Sequence, residues 1–227
     1  MANTIQWDNV GERFYETGVD HGVLYVRNDD GFYKGLDDKG GVPWNGLTSV
    51  NESPSGAEAN PQYADNMKYL NLMSAEELGL TIEAFTYPDE FGLCDGTDAP
   101  VNGMFIAQQG RRTFGLSYRT IIGNDVKSND YGYKLHLVYG ILAAPSEKAY
   151  ATINDSPEAI TFSWECTTTK VDVPGLKPTS LITIDSTKVT KGGMAALEKI
   201  LYGDGKTPAE LPLPEKVIEA LKTPGEA

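Results

Sequence analysis

Apolar and polar residues alternate in three runs through the middle of the chain. From residue 131 to 140, Tyr131, Tyr133, Leu135, Leu137 and Tyr139 fall on one face, and Gly132, Lys134, His136, Val138 and Gly140 on the other. A period of two predicts a strand with one buried face. Ile160, Phe162, Trp164 and Cys166 repeat the pattern, and residues 112–122 (RTFGLSYRTII) make a third run. Turn-forming clusters separate them at Gly123-Asn124-Asp125, Ser128-Asn129-Asp130, Ala144-Pro145-Ser146 and Asn154-Asp155-Ser156-Pro157. The centre of the chain therefore reads as an antiparallel meander with short connections.

On the N-terminal side, residues 1–20 read as an extended arm or first strand. Residues 22–27 (GVLYVR) read as a strand, Asn28-Asp29-Asp30-Gly31 as a turn, and Phe32-Tyr33-Lys34 as the returning hairpin partner. Residues 68–73 (KYLNLM) and 80–87 (LTIEAFTY) are strands. Between them, Ser74-Ala75-Glu76-Glu77 fits a capping box opening a short helix. Residues 89–103 read as a loop, and residues 104–109 lead into the meander. Later come a strand at 181–184 and a helix over 190–202, with Met194, Leu197, Ile200 and Leu201 on one stripe and Gly203 as its stop. Residues 204–227 form a tail with four prolines, in which Pro214 can open a short helix ending before Pro224.

Residues 35–66 are the stretch without periodicity. They are rich in Gly, Asp, Asn, Pro and Ser, yet they carry Val42, Trp44, Leu47, Val50 and Tyr63. A loop of this length is uncommon unless it is functional or disordered. Two readings follow. The loop folds back over its own sheet, or it packs on a neighbouring subunit through Trp44, Leu47 and Tyr63. On the second reading, a chain lacking residues 40–60 folds but does not assemble.

The expected fold is mainly β with a flanking α-helix: a two-sheet β-sandwich or barrel over residues 1–203, followed by the Pro-rich tail 204–227. Tyr133, Leu135, Leu137, Phe162 and Trp164 are the expected core, with Met194, Leu197 and Leu201 of the helix covering the same sheet.

Composition narrows the function. The 227 residues are 40% hydrophobic, enough for a proper core. No apolar run reaches the roughly 18 residues of a membrane span. The N-terminus lacks a basic region followed by an apolar one, so a cytoplasmic origin is expected. A net charge of −13 argues against ordinary binding to a phosphate backbone. The two cysteines, Cys94 and Cys166, are expected as thiols, Cys166 buried on an apolar face.

Catalytic chemistry finds little support. Neither a phosphate-binding glycine loop nor a dinucleotide fingerprint is present. His21 beside Asp20, and His136 in mid-strand, permit a triad only in the sense that almost any chain does. Asp89-Glu90 reads as solvated loop charge rather than a glycosidase pair. The Asp-rich loops at Asn28–Asp30 and Asp37-Asp38 miss the EF-hand spacing. No catalytic, cofactor-binding or metal-binding residues are assigned, and no enzyme activity is expected.

Long phrases of the chain carry a resemblance: FGLSYRT, DYGYKLHLVYG, LAAPSEKAYATINDSPEAITFSWE and TIDSTK, with GVLYV, WNGLTSVNESPSGAEA, YADN and EAFTYPDE before them. They resemble the major tail protein, or tail-tube protein, of long-tailed bacteriophages (siphophages) of the Gram-positive type. The resemblance runs from about residue 3 to residue 203 and weakens in 37–41. It implies two packed β-sheets with a flanking helix and a virion subunit made in the host cytoplasm. Subunits would self-associate as hexameric rings stacked into a tube that conducts DNA at ejection. The implied partners are further copies of the chain, a tape-measure protein in the lumen, and distal tail and tail-terminator proteins. No cofactor or membrane is implied, and DNA would pass without specific binding. An acidic lumen wall is expected, because a basic one would hold DNA by counterion release. The alternative is a β-sandwich carbohydrate-binding or baseplate adhesion module.

Overall fold

The computed structural model describes residues 4–36, 39–153, 155–156 and 158–223. Asp37-Asp38, two residues of the turn expected at 154–157, and Pro224 lie outside that set.

The longest strand organises the rest. It is β10 (Ser128–Ala143), which pairs antiparallel with β9 (Phe114–Asn124). The turn between them is at 125–127, so Ser128-Asn129-Asp130 belongs to the strand and not to a turn. On the other side of β9 lies β1 (Phe14–Val26), whose far edge carries the short β2 (Val42–Pro43). Through its middle, Lys134 to Val138, β10 also pairs with β12 (Leu181–Asp185). Near its end it pairs with β11 (Phe162–Thr167), which continues into β6 (Glu77–Ala84) and β3 (Leu47–Ser55). Strand order is thus β2-β1-β9-β10-β11-β6-β3. The chain changes sheets along β10. Gly140 makes this possible: its φ is +61°, the ladder shifts there, and a Cβ would lie 2.3 Å from the Thr169 carbonyl oxygen.

The two sheets enclose the first core. Leu24 and Val26 of β1, Leu116 and Tyr118 of β9, and Val138 of β10 meet Leu80, Ile82 and Trp164 of the second sheet. The opposite face of the first sheet makes a second core. There Val23, Tyr25, Leu135, Leu137 and Tyr139 pack under α2 (Lys191–Tyr202) and α3 (Pro214–Leu221) through Met194, Leu197, Leu201 and Val217. The architecture is mainly β, in three layers: sheet, sheet, helix pair.

This arrangement corrects the single buried face expected for residues 131–140. Both faces of β10 are buried, one in each core, and even His136 is nearly enclosed. Trp164 and Phe162 therefore do not share a core with Leu135 and Leu137; Tyr133 and Phe162 are only half-buried. The meander order β9-β10-β11 holds, but the connection 144–161 is long rather than short.

Other expectations shift locally. Thr190 caps α2 by accepting from the Gly193 amide at 3.1 Å, as the helix expected over 190–202 requires. Pro214 opens α3, and Leu211 and Val217 of the expected tail sit in the second core. No helix forms at Ser74–Glu77, where β6 starts instead. Tyr33 does not return along β1 but bridges to Leu211. Within 89–103 a 3-10 turn (Asp89–Phe91) leads into α1 (Gly92–Asp95), which buries Phe91 and Cys94. Residues 104–109 do not start the meander. Their strand β8 (Met104–Ala107) pairs with β7 (Thr97–Val101) as a separate ribbon.

Candidate functional site

The stretch expected as a loop is largely strand, and it leads into a surface that the fold leaves uncovered. β3 runs out of the second sheet into β4 (Ala59–Ala64), which pairs antiparallel with β5 (Met67–Met73) from Ala59↔Met73 to Ala64↔Met67. Asp65-Asn66 closes the hairpin with φ of +51° and +60°, the left-handed pair that a tight hairpin turn demands. Every residue of both strands is exposed, including Tyr63 (71%), Met67, Tyr69 (70%), Leu72 and Met73. Apolar side chains stand on both faces of β5: Met73 on one, Leu70 and Leu72 on the other, and the register shifts at Tyr69 before Met67 pairs with Ala64. An isolated two-stranded ribbon is marginal in water, and open strand edges and apolar patches mark association surfaces.

The three residues expected at a subunit interface part company. Trp44 is 2% exposed; its ring packs at 4.6 Å on Phe91 and 5.6 Å on Trp164, and its Nε1 donates to the Thr86 carbonyl at 3.0 Å. That side chain is engaged by its own core. Leu47 is half-buried against the same core and pairs with Ala84. Only Tyr63 stands on the arm. Sequence reasoning misses Met67, Tyr69, Leu72 and Met73 as surface; their signal is that KYLNLM carries apolar residues on both faces. A second exposed apolar set, Val101, Met104, Phe105 and Ile106, sits on the β7–β8 ribbon.

The titratable groups form structural pairs. Asp20 accepts two hydrogen bonds from Arg119, at 2.7 and 2.8 Å, and the guanidinium holds its carboxyl below the usual range. His21 lies 3.1 Å from the same carboxylate. Asp95, almost buried, is held by Lys148 at 2.6 Å, with Arg111 at 3.9 Å. His136 stacks flat on Tyr118, with ring centroids 4.7 Å apart. Its Nε2 is 3.0 Å from Thr120 Oγ1 and its Nδ1 3.5 Å from Glu52 Oε1. The Thr120 hydroxyl donates to Glu16 at 2.6 Å, and the Tyr118 hydroxyl donates to Glu52. Burial pushes the Cys94 and Cys166 thiols up to about 12. Among the described residues no group of three or more His, Cys, Asp or Glu could hold a metal, and no helix is long and apolar enough to cross a membrane.

No protein-family model and no curated protein matches the chain. Among solved structures it is similar to a chain of the anti-feeding prophage (AFP) baseplate, seen by cryo-EM with six-fold symmetrisation. The TM-score is 0.36 and the identity 10%, over 79% of this chain and 97% of that one.

Proposed function

We propose that this protein is a structural component of a phage virion: the repeating subunit of a siphophage tail tube. Hexameric rings would stack into a conduit for DNA between capsid and host. The observation that carries the reading is the β4–β5 arm, a hairpin exposed on both faces and carrying apolar side chains along its strands. The long sequence resemblance to tail-tube proteins supports it, as does the engagement of the acidic and imidazole groups described above in structural pairs. Tyr63 and its neighbours on the arm are the proposed subunit contact. A tape-measure protein would fill the lumen before ejection, with distal tail and terminator proteins at the ends.

The charge of −13 per subunit suits a wall that DNA must slide past. Screening limits such a field to about 8 Å at physiological salt, a reach that matters in a bore nearly filled by DNA.

Electron microscopy of the concentrated protein tests the proposal. Rings or tubes are expected. A protein that stays monomeric at all concentrations and binds glycans would instead be the carbohydrate-binding module. In a map of the assembled tube, a lumen lined mainly by Lys and Arg would defeat the sliding argument.

A further inference from the structure

Asparagine is followed by glycine at two places, Asn45-Gly46 and Asn102-Gly103. The fold treats them differently. Asn102 and Gly103 are the two turn residues of the β7–β8 ribbon, between the paired Val101 and Met104. Both are exposed, and Gly103 has a φ of +83° with nothing within 4 Å of where a Cβ would stand. Among the described residues, no hydrogen bond engages the Asn102 side chain or the Gly103 amide.

Asn45-Gly46 is pinned on both sides. Trp44 before it is buried, donates its amide to the Gly22 carbonyl at 2.8 Å and fixes its ring to Thr86. The Gly46 carbonyl accepts from the Phe85 amide at 2.8 Å, and a Cβ on Gly46 would lie 3.1 Å from Thr86 Cγ2. Leu47 then enters the ladder with Ala84.

We propose that Asn102 is a site of spontaneous covalent modification, converting through a cyclic imide to aspartate and isoaspartate. The Gly103 nitrogen gives its proton to solvent base and bonds to the Asn102 side-chain carbonyl carbon. The bond from that carbon to the amide nitrogen breaks, and ammonia leaves. Water then adds to either imide carbonyl and opens the ring, giving aspartate or its β-linked isomer. No oxidant or cofactor is needed. The reaction is intramolecular, so its rate follows how freely the backbone nitrogen reaches the side chain. Glycine presents no side chain to obstruct that approach. The free turn at 102–103 allows the required backbone rotation, and the clamped turn at 45–46 opposes it. Conversion places a carboxylate among Val101, Met104 and Phe105, and the isoaspartyl product inserts an extra carbon into a two-residue turn.

The test uses the two sites as each other's control. The intact protein is incubated in mildly alkaline buffer, folded or unfolded in urea. Peptide mass spectrometry then follows conversion at each site, with isoaspartyl methyltransferase labelling to score the isomer. Asn102 should convert several-fold faster than Asn45 in the folded chain, and the two should converge in urea. G103A should slow the reaction and N102Q should abolish it, while Asn45 stays unchanged. Equal rates at the two sites in the folded protein, or faster conversion at Asn45, would overturn the assignment. So would protection of Asn102 by folding.

Discussion

Two hairpins of this chain have nearly the same grammar and opposite fates. Lys68–Leu72 (KYLNL) in the arm and Lys134–Val138 (KLHLV) in β10 each mix three apolar residues with two polar ones, and both strands turn tightly on an antiparallel partner. Yet β10 is enclosed on two faces and β5 on none. Burying a Leu side chain contributes about 1.5–3 kcal/mol, against an ordering cost of about 1–2 kcal/mol per residue. Leu135 and Leu137 obtain that gain from their own helices and sheet. Leu70 and Leu72 stay exposed and obtain little of it from their own chain. Alternation announces a strand; what lies across from the strand depends on residues far away in sequence.

Removing the arm tests the contrast with the largest expected effect. The chain enters and leaves it at one point: a Cβ on Gly56 would lie 2.2 Å from the Ala75 carbonyl oxygen. Excising residues 57–74 and joining Gly56 to Ala75 should leave the melting temperature nearly unchanged and abolish self-assembly seen by electron microscopy. Tubes of normal length from that variant would show the arm to be dispensable. The excision of residues 40–60 that a loop reading invites does something else: it removes Trp44 and β3, hence part of the first core.

The buried side of the contrast gives the next effect. Trp164 is fully enclosed among Trp44, Tyr87, Phe91 and Phe162. Trp164→Ala should cost about 3–5 kcal/mol in denaturant unfolding, as a large-to-small change leaving a cavity. A loss under about 1 kcal/mol would mean that the sheets close over the gap.

Much of the fold is legible in the sequence, for identifiable reasons. β9, β10, β11 and α2 announce themselves because their periodicity is long and their stops are clear. The arm is masked by its own polarity. Asn60, Pro61 and Gln62 read as loop, because β4 needs no apolar face when nothing within the chain covers it. Trp44 is visible as an apolar residue in a polar stretch, but its destination beside Phe91 depends on α1, a helix of one turn that leaves no periodic signal. The share of β10 in the first core is hidden for a different reason. Val138 and His136 sit on what the pattern marks as the polar face of β10, and only a three-layer packing buries both. Of the candidate interface, Tyr63 is in view; its partners on β5 read as strand and not as surface.

A smaller effect is expected where α2 begins. The Thr190 hydroxyl accepts from the Gly193 amide and donates to the Thr223 carbonyl at 3.0 Å, tying the start of α2 to the end of α3. Thr190→Ala should cost about 1 kcal/mol by thermal unfolding, and Thr190→Ser should restore most of it. A neutral Thr190→Ala would mean that water replaces the cap. Arm-dependent assembly should be indifferent to either change, since the second core lies on the far side of the first sheet from β3.

The smallest effect tests the joint between the two hairpins. Glu52 lies on β3, the strand that leads into the arm, and its carboxylate reaches across to β9 and β10. His136 Nδ1 is 3.5 Å from Oε1, and the Tyr118 hydroxyl donates to the same oxygen at 2.5 Å. The His136 contact is the largest cause holding this carboxyl below its usual value of 4.5, with partial burial opposing it. A carboxyl lowered on folding contributes stability that is fully present above its unfolded value and is lost as pH falls through the folded one. The joint should therefore hold at neutral pH and weaken in acid, below about 4.5. Asp20 and Glu16 are also lowered, so the whole protein will lose stability in acid, and the informative quantity is a difference. Melting temperature against pH should fall less steeply below that range for Glu52→Gln than for the unsubstituted chain. The two should differ most at neutral pH, where only the unsubstituted chain carries the charge. Hydrogen exchange should place the added opening in β3 and the arm rather than in β10. Parallel melting curves would mean that Tyr118 and His136 hold the neutral side-chain amide of the variant as well as they hold the carboxylate, and that the joint is packing rather than charge.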